Sequence, residues 1–474
     1  MTKSIDFTIA QFVVNTDYNG IPQRVIEVAK KSILDTLGVT LAASTLGEGC
    51  KEFVKLAERW GGRESTILGF GVKTSPPMAA FANGSMAHAL DYEEIHDKAL
   101  VHPSAQTFPA LLAISESIGG VSGKDFMAAF VLGNELTVRL GLALTRNPLE
   151  LGWYPPPILG AMGATVAGSK LLGLSEREVL SALSLTLCQT SCSAEIIYSP
   201  KSVIRAVRDA FPAMAAVISP MLAKEGIAGF ERPISGEGGF FRMYARDNYQ
   251  SSMLMKDLGK IYEYMDVSLK PWPSCRGTHP FIQAAIAIAE ENDIRAEEVG
   301  NVHLLVGPLN RMLCEPIESK RAPRTSIEAK FSLPFTVATA LIERRVGLDS
   351  FLEHNLANKE VLDLAKKVTY EVKYGYKPTE GEIIIKNRDG RSYLKKVDSD
   401  ELYGTPSNPL TKDFLMKKFV GCCRYSALKP HEESIEEVIK YILNLEKVED
   451  VGVLTSILHR AQCRDNNFIV SPIQ

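Results

Sequence analysis

The chain has 474 residues, 45% of them hydrophobic and 23% charged, with a formal net charge of −3. That length exceeds one compact core and predicts two or more domains, and the charge balance excludes the basic field of a nucleic-acid binder. No uncharged apolar run reaches the ~18 residues of a membrane span, and M-T-K-S-I-D-F lacks a signal-peptide apolar region, so no membrane partner and a cytoplasmic location are expected.

From Pro22 to Ala43 the apolar residues Val25, Ile26, Ala29, Ile33 and Leu34 recur with a helical period. Pro109–Ile118 and Asp125–Leu144 continue in the same way. Gly160, Ala164 and Gly168, four apart, predict a helix whose backbone comes close to a neighbour. Ser175 with Glu178 is a capping-box signature and predicts a helix through Leu187. Phe211–Ala223, apolar but holding two prolines, predicts a buried helix.

The pattern changes near Lys270. Val299–Val306 alternates and is rich in β-branched residues, and Lys367–Tyr374 and Gly381–Lys386 read as further strands. N-R-D-G (387–390) forms the turn into Arg391–Val397, and the helices Phe281–Asn292 and Leu333–Glu343 lie among these strands. Helical periodicity returns from Pro409, with Ile435–Leu445 and Val451–Ala461. The predicted fold is mainly α with an α+β part: a large discontinuous all-helical domain (1–269 and 406–474) carrying an inserted α+β lid domain (270–405).

Ionisable residues concentrate between Asn83 and Ser104, which holds three of the eight histidines (His88, His96, His102) with Asp91, Glu93, Glu94 and Asp97. His88 and Asp91, three apart, would share a helix face, and His102 before Pro103 is expected to be extended. A carboxylate set on a histidine fixes its tautomer and raises its basicity. On spacing alone the cluster reads equally well as a solvated acidic loop with a buried capping histidine. No H-x-x-x-H, H-E-x-x-H or C-x-x-C spacing occurs, so no metal site is expected. Lys201 in Y-S-P-K-S-V-I-R and Lys270 in L-K-P-W-P-S-C-R-G-T-H-P are isolated cations among apolar residues and prolines. Each is either a snorkelling surface side chain or an anchor for a carboxylate. K-R-A-P-R-T (320–325) reads as a solvated loop.

Taken in order, N-G-x-x-x-H-A-L-D-Y, H-P-S, K-P-x-P-x-C-R-x-x-H-P and E-A-K-F-S-L-P-F-x-V-A-x-A-L resemble the blocks of the 2-methylcitrate dehydratase and cis-aconitate decarboxylase family, MmgE/PrpD, over nearly the whole chain. The resemblance implies a helical domain with an α+β lid, a homodimer, no metal or organic cofactor, and a small di- or tricarboxylate as substrate. It sets the family's aspartate on Asp91, its H-P-S histidine on His102, its two lysines on Lys201 and Lys270, and its last block histidine on His279. Ser104, Arg276, Cys275 and Phe335 stand in the same blocks and are expected at the substrate. Four positions depart from the family's pattern: Tyr154 stands for a histidine, Phe335 for a tyrosine, Ile95 for a threonine or serine, and Cys275 for a histidine found in the decarboxylase branch. His102 also comes one residue late. These changes remove polar contacts and point away from the decarboxylase branch.

The expected chemistry is proton transfer at the carbon α to a carboxylate, with Asp91 orienting His102, Lys201 and Lys270 clamping carboxylates, and Tyr154 or His279 as the acid for a leaving hydroxyl. His88 is expected to pack on its helix, and Glu93, Glu94, His96 and Asp97 to face solvent. The activity implied is that of a hydro-lyase resembling 2-methylcitrate dehydratase. The alternatives are an epimerase or decarboxylase of a related acid, or a non-catalytic carboxylate-binding homologue.

Overall fold

The computed structural model describes residues 4–199 and 202–459. The chain divides into two compact units. The first runs to Ala89, resumes over Glu93–Asp266 and returns from Lys412; the second comprises Leu90–Tyr92 and Val267–Thr411.

The first unit is built of helices: α1 (Gln23–Leu46), α2 (Pro76–His88), α3 (Ser104–Ile118), α4 (Gly123–Ala143), α5 (Pro155–Leu171), α6 (Glu176–Leu187) and α7 (Ala210–Lys224). Local chemistry sets their ends. Ser122 accepts the Asp125 amide at the start of α4, the Ser175–Glu178 capping box opens α6, and proline begins α2 and α5, where its missing N–H costs nothing. Helix α5 packs against α3, α4, α6 and α7, and its small residues allow this. A Cβ at Gly160 would meet the Gln106 side chain, one at Gly168 the Ala216 carbonyl, and one at Gly163 would stand 1.9 Å from Thr137 Oγ1 and 2.3 Å from the Gly133 carbonyl. Ile114, Leu132, Met162, Val166, Leu183 and Val217 fill the core between these helices.

Two stretches, Gly123–Ala143 and Ile204–Lys224, are long and apolar enough to cross a membrane by length and composition, yet 89% and 72% of them is buried inside the protein. The charges within α4 explain its place. Arg139 bonds Glu135 at 2.6 Å and donates to the carbonyls of Met253, Leu254, Lys256 and Ile261. Glu135 in turn accepts the amides of Glu263 and Tyr264. A buried ion pair with every donor engaged pins the 253–264 segment to the core.

The second unit holds a four-stranded sheet, β1 (Val299–Val306), β2 (Val368–Val372), β3 (Gly381–Asn387) and β4 (Ser392–Val397), in the order β2-β1-β3-β4. The β1–β2 pair is parallel and the others antiparallel, with Val302 opposite both Val368 and Ile385. Alternation in β3 turns Ile383 and Ile385 inward, onto α8 (His279–Asn292), which packs against α9 (Leu333–Glu343). Gly381 is glycine because Phe281 lies on it: a Cβ there would come within 2.6 Å of the ring. The expected strands and both helices are present, with α9 spanning Leu333–Glu343 as anticipated. After the sheet the first unit resumes with the helices Lys412–Cys423, Glu432–Leu443 and Val453–His459; the expected continuation to Ala461 lies outside the described residues.

Substituting Gly163→Ala forces α4 and α5 apart, and overpacking of this kind costs about 1–3 kcal/mol. A melting curve lower by several degrees is expected, whereas an unchanged Tm would show that the contact relaxes freely.

Candidate active site

Most of the segment between α2 and α3 is buried, against the expectation of a solvent-facing loop. Glu93, Glu94 and His96 are fully buried and Asp97 is half-buried, while Lys98 and Leu100 are exposed. The loop closes on itself, with the His96 amide donating to the Val101 carbonyl at 2.9 Å and the Leu100 amide to the His96 carbonyl at 2.8 Å. His96 Nδ1 accepts the Ala99 amide, and burial pushes this ring down to about 4, so it is a neutral structural group. The glutamates of the acidic run turn inward because His88, His102 and Ser104 supply partners for them.

At the centre is Glu93. Its Oε1 bonds His88 Nδ1 and lies 3.0 Å from His102 Nδ1, and the two imidazole rings meet edge-on with centroids 4.6 Å apart. His102 Nδ1 is also 2.8 Å from the Glu94 carbonyl. A carbonyl oxygen only accepts, so Nδ1 carries the hydrogen and Nε2 of the neutral ring is the nitrogen without one. Burial alone would raise the Glu93 carboxyl, but the charges and hydrogen bonds of His88 and His102 hold it well below the usual carboxylate range. Burial, then the charge of Arg208, lowers His88. The carboxylate bonded to His102 is thus Glu93, which the sequence reading had placed in solvent, and His88 is its second donor.

Around this pair lie groups that the sequence reading passed over. Gln106 Nε2 donates to Asp209 Oδ1, while Asp209 Oδ2 stands 3.7 Å from Arg208 Nε and 3.9 Å from His88 Nδ1. Arg208 is buried, donates to the Arg205 carbonyl, and lies 5.1 Å from the centre of the Tyr154 ring; Arg205 is 5.9 Å from it. Tyr154, at the start of α5, therefore presents its ring to two cations. The only signal for Arg208 and Asp209 was an R-D pair interrupting an apolar run, and for Glu93 its position two residues past Asp91. Ser104 was expected at substrate. Instead its amide and hydroxyl both bond the buried Glu94 carboxyl, and it is fully buried. Lys201 lies outside the described residues.

In the second unit Lys270 is fully buried, and its ammonium bonds both the carboxylate and the carbonyl (3.0 Å) of Asp91. Asp91 sits at φ 50°, left-handed backbone that non-glycine residues adopt at some cost. The expected free cation clamp is thus an ion pair. His279 corrects a second expectation. Its Nε2 donates to the Ser274 carbonyl at 3.1 Å and its Nδ1 faces Arg276 Nη1 at 3.4 Å. Burial, then the charges of Arg276 and Lys270, holds it well below the usual histidine range. A neutral ring with both nitrogens engaged holds Arg276 and has no proton to give a leaving hydroxyl. Phe335, expected at substrate, is a core residue packed near Phe351, because its position on α9 turns it into the apolar interior. Cys275 is half-buried and donates its amide to the Lys330 carbonyl.

A profile of the MmgE/PrpD N-terminal domain matches residues 8–252, and one of the MmgE/PrpD C-terminal domain matches residues 272–444. The chain belongs to the MmgE/PrpD family. Similar MmgE/PrpD members include the cis-aconitate decarboxylase of Homo sapiens, 27% identical over 97% of this chain and 95% of the relative. That of Mus musculus is 26% identical over 98% and 95%, and that of Aspergillus terreus 24% over 95% of each.

Two predictions follow from the second unit of this MmgE/PrpD chain. Lys270→Met leaves the Asp91 carboxylate buried without its cation and should destabilise by about 3–5 kcal/mol. Adding Asp91→Asn should recover most of that loss in chemical denaturation, and equal stability of the single and double variants would refute the pairing. His279 binds a proton less readily folded than unfolded, so the unfolded state gains the proton first as pH falls below ~6.5. Its contribution is present above that pH and lost below it, and His279→Gln should flatten the acid-side fall in Tm between pH 7 and 5.

Proposed function

We propose that this protein is a lyase that moves a proton at the carbon α to a carboxylate of a small di- or tricarboxylic acid, with His102 Nε2 as the acid–base group. The observation that carries this reading is the Nδ1 side of His102, held between the Glu93 carboxylate and the Glu94 carbonyl. A ring fixed in that way presents one basic nitrogen, and the Glu93 charge stabilises the imidazolium formed when it takes a proton.

The α-proton of a carboxylate is weakly acidic, so the charge that develops has to be met by cations. Arg208, buried beside Asp209 and the Tyr154 ring, supplies a guanidinium within the first unit. Dehydration is the reaction we favour: the electron pair of the Cα–H bond forms the new double bond, the proton passes to His102 Nε2, and the imidazolium returns it to the β-hydroxyl, which departs as water. In support, Cys275 stands where the resemblance puts a histidine in the decarboxylase branch, and His102 comes one residue later than it does there. Decarboxylation is the second reading, favoured by the names of the curated relatives. Both reactions require the same proton-moving nitrogen.

Replacing His102 by Ala should cut kcat by roughly 10² to 10⁴ while the fold, followed by circular dichroism, is retained. The assay is a screen of hydroxy-di- and tricarboxylates and cis-aconitate by proton NMR in deuterated water. Loss of water, loss of carbon dioxide and simple deuterium exchange at carbon each give a distinct signature. Near-full turnover by His102→Ala would sink the assignment.

A further inference from the structure

Beneath His102 lies a second, fully buried group of polar side chains. Glu94 contributes to it twice. Its backbone carbonyl accepts the His102 Nδ1 hydrogen. Its carboxyl accepts from the Ser104 amide at 3.2 Å and from the Ser104 hydroxyl. The amide of Asn134, on α4, donates to that same hydroxyl at 3.1 Å. One residue therefore ties the catalytic imidazole to the first turn of α3 and, through Ser104, to α4. We propose that Glu94 is a positioning residue for His102: its carboxyl, locked to Ser104 and Asn134, fixes the carbonyl on which the Nδ1 hydrogen is held and so keeps Nε2 as the reacting nitrogen.

This rests on His102 being the acid–base group. The rest of the cluster indicates which form of the carboxyl does the holding. Among the described residues Glu94 Oε2 and Asn134 Oδ1 are buried with no partner in hydrogen-bond geometry. An ionised Glu94 adds a second bare acceptor to Asn134 Oδ1 in this cluster, whereas a protonated one brings a donor to it. Burial drives the Glu94 carboxyl up to about 7, against the lowering effect of its bonds to Ser104 and of the Ser32 hydroxyl on α1. Asp35, one turn along α1, adds to the rise, and its own charge is matched by Lys418 at 2.6 Å. Tyr264 faces the same carboxyl and is itself raised, first by burial and then by Glu94, so it remains a neutral hydroxyl. The neutral carboxyl is the form that fits, and rising pH removes it.

The test reads the His102 tautomer directly and needs no substrate, so it fails or succeeds apart from the proposed reaction. Histidine-labelled protein is followed by ¹⁵N NMR, with the His102 signals assigned by their loss in His102→Gln. The wild type should show a single tautomer with the hydrogen on Nδ1. Glu94→Ala should show a mixture of tautomers and, with any acid the wild type turns over, a kcat lowered 10- to 100-fold at a KM changed less than about 3-fold. Glu94→Gln, which keeps the acceptor for Ser104, should restore the single tautomer and remove from the pH profile of kcat/KM a limb near neutrality. If Glu94→Ala does not fold, Ser104→Ala carries the test with the same expected direction. An unchanged Nδ1–H tautomer in the folded variant would overturn the proposal, as would failure of Glu94→Gln to restore it.

Discussion

A carboxylate removed from water has to be surrounded by donors, and the first unit is organised around one that is. Glu93 is fully buried, and its charge is held by two imidazoles rather than by a guanidinium or an ammonium. Imidazoles are poor permanent counter-ions but good exchangeable ones. An arginine in place of His88 and His102 would satisfy Glu93 equally well and leave nothing to transfer. Histidine thus meets a structural necessity with groups that are able to exchange a proton. The buried loop from Glu93 to Val101 and the first turn of α3 both serve to keep that arrangement dry.

The second unit meets the same constraint with a different answer. Lys270 and Asp91 form a buried pair in which the lysine also takes the Asp91 carbonyl, and the aspartate adopts left-handed backbone to offer both oxygens. Backbone cost of this sort persists only where surrounding structure over-determines it. His279, by contrast, is kept neutral, with both nitrogens spent on Ser274 and Arg276. Of the two basic side chains in L-K-P-W-P-S-C-R-G-T-H-P that sequence reasoning gave a chemical role at the ends of the block, one is an ion-pair partner and the other an anchor for the arginine between them.

Much of the fold was legible because periodicity reports burial directly. The capping box at Ser175, the small residues on α5, the sheet with its N-R-D-G turn and helix α9 follow from patterns that need no tertiary knowledge. The site was legible only where a motif named a residue. Asp91, His102 and Lys270 came from recognisable blocks, but their partners did not. D-Y-E-E reads as an acidic surface run because charge is ordinarily solvated, and nothing local says that the two histidines flanking it fold back onto Glu93. Ser104 and Phe335 failed in the opposite way: they sit inside family blocks, yet one is committed to Glu94 and the other to the apolar core. Block membership locates a segment, and the side chain's direction decides its task.

Tyr154 shows how far a single replacement reaches. A histidine at the start of α5 could donate or accept a proton, whereas this phenol ring lies against the guanidinium groups of Arg205 and Arg208. The attraction is to the ring face, so the aromatic side chain orients Arg208 without neutralising it. Arg208 in turn is, after burial, a cause of the lowered His88, so the ring that orients this guanidinium acts at one remove on the histidine that shares Glu93 with His102.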